Sequence, residues 1–313
     1  LLVMVLAVLL FALVMGLVLA VMVRPKLPRW VPIVGYLGPA VLLIAGGLMV
    51  PGVLTIKDSF FNADSSTFVG IDNYVRVFSD GKFLGVLRNT FWWVLLVPII
   101  ATAIGLVYAV LVDRTRFEKA AKMLVFLPMA ISMVGAGIIW KFMYEYKAKG
   151  QSQIGLINQI LVLFGIEPQR FIQTPPGNTF ALIVVMIWIQ AGFAMTVLSA
   201  SIKAIPDEII EAAKMDGVTG WKLFWNVTVP SVRPSMIVVI TTIAMATLKA
   251  FDIVYTMTGG NFDTSVIASE FYFQSFNAFD SGLGAALAVI LFILIMPIVI
   301  YNVRSMRISE GER

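Results

Sequence analysis

The chain has 313 residues, 59% hydrophobic and only 13% charged, which leaves too few polar side chains to cover a water-soluble globule of that size. It contains neither cysteine nor histidine, which excludes disulfides and thiolate chemistry and counts against a metalloprotease or a histidine-dependent transferase. The net charge of +5 looks basic, but in a lipid-embedded chain the placement of charges matters more than their sum.

A bilayer core roughly 30 Å thick takes about 20 apolar residues to cross as a helix. Runs of that kind predict an all-α, polytopic membrane helix bundle of about seven spans: Leu1 to Val23, Ile33 to Leu54, Asn89 to Val112, Lys119 to Tyr144, Thr179 to Ile202, Pro234 to Tyr255 and Gly284 to Val303. The first run is longer than a signal-peptide core and has no charged leader, so it reads as a span with sequence upstream of it. Residues 1–32 are taken as this helix and a connector, and 33–313 as the membrane domain proper.

Lys and Arg stay on the cytoplasmic side of short loops. The segments around Arg24–Arg29, Arg114–Lys122, Lys203–Arg233 and Arg304–Arg313 hold fourteen of them; the alternate set holds eight over longer loops, and Thr256–Leu283 holds none. The stretch 203–233 and the C terminus are therefore expected in the cytoplasm, and the visible N terminus outside unless a further helix precedes Leu1. Lys141 and Glu145, at the outer end of the fourth span, are spaced as an i,i+4 ion pair.

Between the fifth and sixth spans the pattern is too ordered for a plain connector. Pro206, Asp207 and Glu208 read as a helix start, with carboxylates at the positive end of the dipole, and Gly217 as its left-handed stop. A second short helix is predicted from about Thr219 to Val227, amphipathic through Trp221, Phe224 and Trp225, before Pro230 and Pro234 return the chain to the membrane. Such a pair forms a stiff knob able to transmit a push; an interfacial amphipathic hairpin is the bland alternative. In the sixth span Ile243, Thr247, Ala250, Phe251 and Val254 are predicted on one stripe. Lys249 and Asp252 read as an ion pair or a snorkelling lysine rather than solute ligands.

Glu211, Ala212, Ala213, three residues, Gly217, nine residues, then Val227, Thr228, Val229, Pro230 resembles the EAA loop of ABC import permeases, with Asp216 before the glycine also matching. Phe68–Tyr74, Gly155–Asn158 and Phe251–Tyr255 leading to Thr258, Gly259 and Gly260 are similar to the carbohydrate branch, the alpha-glucoside and maltose permeases. The resemblance implies a MetI-like permease core at 33–313 and a coupling helix within 203–233, with Glu211, Ala213, Asp216 and Gly217 at the centre of a surface that docks on a separate ATPase. It also implies a second homologous permease, two ATPase subunits, an extracytoplasmic binding protein and a bacterial inner-membrane location, with no nucleic-acid partner. The imported solute would be a sugar, an alpha-linked disaccharide or oligosaccharide.

Counting from Glu211, the maltose-type sugar positions fall on Trp188, Ile189, Gln190, Phe193, Ala246, Thr247 and Ala250, with Phe251 beside them; Thr247 and Ala250 stand where the maltose permease has asparagines. Ordinary helix packing is the alternative for each. The chain itself carries no Gly-x-x-x-x-Gly-Lys-Ser/Thr loop, so it is expected to be non-catalytic and to hold no cofactor, with ATP and Mg bound by the partner ATPases. An ion-coupled secondary carrier is the competing class, but it expects buried carboxylates in the spans, and only Asp252 lies well inside one. A membrane enzyme lacks any catalytic cluster.

Overall fold

A computed structural model describes residues 2–22, 28, 30–113, 115–148 and 150–311. The described residues are almost wholly helical, with one isolated antiparallel bridge between Phe61 and Phe68. They group into two units, Leu1–Asp58 and Ser59–Arg313. The smaller holds the apolar helices Leu2–Met22 and Ile33–Asp58, the second passing through a π-helical turn at Ala45–Met49. None of its described side chains is buried, and Leu42 and Leu48 are exposed, as lipid in place of water permits.

The larger unit is organised around the helix Gly177–Lys203, which packs against Gly81–Val112 and Gly220–Leu248. Leu182, Met186, Met195 and Leu198 from this central helix are buried with Trp93, Val97 and Ala101 of one neighbour and Ile243 of the other. Lipid tails are as apolar as leucine, so burial alone does not drive helices together there, and close approach of small residues does. At Gly105 an added Cβ would sit 2.5 Å from Ala194 Cβ and 2.6 Å from the Met195 amide nitrogen. At Gly192 it would sit 2.6 Å from the Val125 carbonyl oxygen.

Among the described residues five helices are long and apolar enough to cross a membrane, six if one bent pair counts as a single span. The predicted first span falls on Leu2–Met22, with Leu1 and Val23 outside the described residues. The predicted fourth span is not one rod. Glu118–Phe126 tightens through a 3-10 turn at Leu127–Ala130, and Met133–Met143 leaves at 101°. Ser132 restarts the helix by accepting a hydrogen bond from the Gly135 amide at 3.0 Å. Because that helix ends at Met143, Glu145 is not one turn from Lys141; it pairs with Lys147 at 3.5 Å instead.

The sixth span also differs. No separate helix runs from Thr219 to Val227: the chain is continuous from Gly220 to Leu248, through a π-helical turn at Phe224–Thr228. A proline ring clashes with the carbonyl four residues earlier, and for Pro230 that is Asn226, inside the widened turn, so the helix survives. The helix then closes at Leu248 with three-residue bonds from the Lys249 and Ala250 amides to Ala246 and Thr247, and a new short helix, Asp252–Met257, begins. The predicted stripe from Ile243 to Val254 is thus split between two helices. Lys249 is exposed, and no ion pair joins it to Asp252 among the described residues.

The Gly105 contact yields a direct test. Gly105→Leu forces its side chain into the central helix backbone, so it should lower the thermal midpoint of the detergent-purified protein by an overpacking penalty of about 1–3 kcal/mol or more. Gly47→Leu, where an added Cβ meets nothing within 4 Å, should leave the midpoint unchanged in the same scan.

Candidate functional site: an exposed hairpin and the helices behind it

The hairpin grows out of the C-terminal end of the central helix. Pro206 precedes the helix Asp207–Met215, whose first turn carries Asp207 and Glu208 and whose last turn carries Lys214, charges that complement the helix dipole. The stop is a complete Schellman motif: the Val218 amide donates to the Ala213 carbonyl at 2.9 Å and the Gly217 amide to Lys214 at 3.0 Å. Gly217 has φ of +76°, as expected, and Gly220 a further positive φ of +55°, so two left-handed glycines make the corner.

Ile205 is buried in the core, and Ile210, Phe224 and Val229 pack against it, tying both arms of the hairpin down. Glu211, Ala212, Asp216, Gly217 and Pro230 are exposed and Ala213 is half-buried. Met215, 88% exposed, is the extreme. At the base, Glu118 accepts from Lys122 at 2.6 Å and from Lys203, while Lys122 also reaches the Ser199 hydroxyl at 2.5 Å and Lys203 lies 3.7 Å from Asp113. This cluster fixes the last turn of the central helix to the two elements beside it.

Behind the hairpin the predicted sugar-path residues separate into two groups. Trp188 is half-buried, edge-on to Trp140 at 5.7 Å, and Trp140 continues to Tyr144 at 5.3 Å. Gln190 and Phe193 are also half-buried. In the other group Phe251 stacks on Tyr255 at 4.9 Å and meets Tyr272 at 4.8 Å. Thr247 and Ala250 are 3% and 1% exposed, and the Thr247 hydroxyl donates to the Ile243 carbonyl at 2.7 Å, so both are absorbed by packing.

The profile of the family described as "Binding-protein-dependent transport system inner membrane component" matches residues 77–306. The chain belongs to that family. The permease is 46% identical to "Osmoprotective compounds uptake permease protein GgtC" of Synechocystis sp. over 89% of its own length and 100% of the relative's. It is 44% identical to "Alpha-glucoside transport system permease protein AglF" of Rhizobium meliloti over 88% and 82%. A chain of a bacterial ABC transporter involved in the import of the acidic polysaccharide alginate superposes with a TM-score of 0.75 at 22% identity, covering 88% of the permease and 96% of that chain, which establishes the shared fold.

Two of the family-like stretches turn out to be staples. Asn73 donates to the Ser59 carbonyl at 3.0 Å and to Phe61 at 2.7 Å. Asn158, fully buried, donates to the carbonyls of Glu145 and Gln169 at 2.9 and 3.0 Å and accepts from the Gln169 amide at 2.8 Å. Sequence reasoning missed a third device. Phe262 and Asp263 both have φ of +56°, an uncommon conformation for non-glycine residues. Their carbonyls accept from Asn178 and Asn89, each at 2.6 Å. A buried asparagine near the start of a helix was the only signal available.

Removing one clamp should release the loop. In Asn178→Ala the Phe262 carbonyl loses its donor, worth about 1–3 kcal/mol at a buried site, and hydrogen exchange at residues 259–264 should accelerate while the Asp207–Met215 helix keeps its protection.

Proposed function

We propose that the permease is one of two paired membrane subunits of a carbohydrate importer, that an extracytoplasmic binding protein delivers the sugar, and that two separate ATPase subunits drive it through the hairpin. The hairpin carries the reading. A short helix with exposed Glu211, Asp216 and Met215, a rigid glycine corner and an ion-paired base is built to receive a load from outside the chain and pass it to the central helix. The alpha-glucoside name of one relative supports a neutral glycoside, an alpha-linked disaccharide or oligosaccharide, as solute. The distribution of Lys and Arg supports the hairpin and C terminus on the cytoplasmic side of the inner membrane.

In this reading Glu211, Ala212, Ala213, Asp216 and Gly217 form the docking surface, with Pro230 shaping the return arm. The sugar passes Trp188, Gln190 and Phe193, whose amide and ring faces suit hydroxyls and pyranose faces, and Phe251 lies further out. Thr247 and Ala250 contribute shape only. ATP and Mg bind the partners, and the permease performs no chemistry.

Gly217→Val tests the coupling role. An added Cβ at Gly217 meets nothing within 4 Å, so the substitution acts through the left-handed backbone alone, at roughly 1–2 kcal/mol or more for a β-branched residue. The variant should insert normally yet lose sugar uptake and sugar-stimulated ATP hydrolysis together in proteoliposomes. Full uptake with full retention of the ATPase on purification would remove the hairpin from the mechanism.

A further inference from the structure

The end of the unit opposite the hairpin holds a cleft of about 820 Å³, inside the roughly 300–1,000 Å³ range of small-molecule sites. Asn178 opens the central helix on this side and Lys203 closes it on the other. One wall is the first turns of Gly81–Val112; the others are the left-handed loop at 259–263 and the residues around Glu270.

Glu270 is only 2% exposed, yet it lines the cleft. Lys82 Nζ and Gln274 Nε2 both donate to its Oε1 at 2.6 Å, and no described residue donates to Oε2. Asn89, 4% exposed, repeats the pattern. Its Nδ2 is committed to the carbonyls of Asp263 at 2.6 Å and Ser265 at 3.1 Å, and no described residue donates to its Oδ1. Two buried side chains that line the cleft therefore each keep an acceptor that no described residue claims. Tyr255, half exposed, meets Tyr272 edge-on at 5.6 Å on the cleft wall.

We propose that this cleft is a carbohydrate-binding subsite of the permease, separate from the Trp188–Phe193 path and engaged before the sugar enters the bundle. Acceptors beside aromatic faces match a hydroxyl donor on a weakly apolar ring, since each hydroxyl stripped of water requires a partner. A cation would find the Glu270 carboxylate already paired with Lys82, and no cluster of three metal-ligating side chains exists among the described residues. The inference rests on the carbohydrate reading above.

Gly85 supplies the test, because it lines the cleft and an added Cβ there meets nothing within 4 Å. In this cysteine-free chain Asn277→Cys on the rim, labelled with bimane, reports occupancy of the cleft alone. The assembled transporter, its other subunits free of cysteine, is titrated with maltose, trehalose or sucrose in nanodiscs without binding protein. One of these disaccharides should give a saturable emission shift. Gly85→Ala should retain it, Gly85→Trp should require about tenfold more sugar or more, and Tyr255→Ala should weaken it in the same direction. Basal ATP hydrolysis and assembly should stay at the unsubstituted level in both Gly85 variants. No saturable shift, or an unchanged midpoint in both Gly85→Trp and Tyr255→Ala, would overturn the subsite. So would loss of binding-protein capture with the sugar response intact, which would make the cleft a protein-docking surface. If the unsubstituted transporter imports none of the three sugars, nor any other glycoside, the carbohydrate reading itself fails and the subsite with it.

Discussion

Gly105 and Ala194 bring two helix backbones to a separation that no larger side chain allows, and the rest of the bundle is arranged around that contact. In lipid every backbone polar group is satisfied inside its own helix, so helices meet through shape rather than through loss of water. The central helix is gripped on several sides, by Gly81–Val112 at Gly105, by the Val125 carbonyl at Gly192 and by Ile243 of Gly220–Leu248. It is therefore the least free element of the larger unit.

Both candidate regions attach to the ends of that helix. At the C-terminal end Lys203 enters the carboxylate cluster of Asp113 and Glu118, and the hairpin begins immediately after. At the N-terminal end Asn178 holds the Phe262 carbonyl, one of the positive-φ residues of the loop that walls the cleft. A displacement of the hairpin thus has a continuous, mostly buried path to the loop about 40 Å away, at 1.5 Å of rise per residue. Backbone strain of the kind seen at Phe262 and Asp263 persists only where surrounding bonds over-determine it, and the two asparagine clamps are those bonds.

Much of this was legible in the sequence, for local reasons. The Asp207–Met215 helix and its left-handed stop at Gly217 follow from capping chemistry confined to a dozen residues, and the apolar runs follow from bilayer thickness. What was not legible depended on partners far along the chain. Asn89 meets the 263–265 loop across 174 and 176 positions, Asn178 meets Phe262 across 84, and Lys82 meets Glu270 across 188. The 101° break at Ile131–Ser132 sits inside an apolar run marked only by Pro128 and Ser132, where hydropathy carries no information about direction. The π-helical turn before Pro230 likewise turned an expected helix break into a continuous helix.

The central claim is that the hairpin is where a separate ATPase meets this permease, and Met215, 88% exposed, is the large apolar side chain the hairpin leaves most open. A photo-reactive phenylalanine analogue at Met215, in the assembled complex, should cross-link to the ATPase subunit in high yield. The same group at the exposed Leu42, in an apolar helix of the smaller unit, should give no ATPase adduct. Adducts from Met215 confined to lipid or to the second permease, with the ATPase present and bound, would contradict the account.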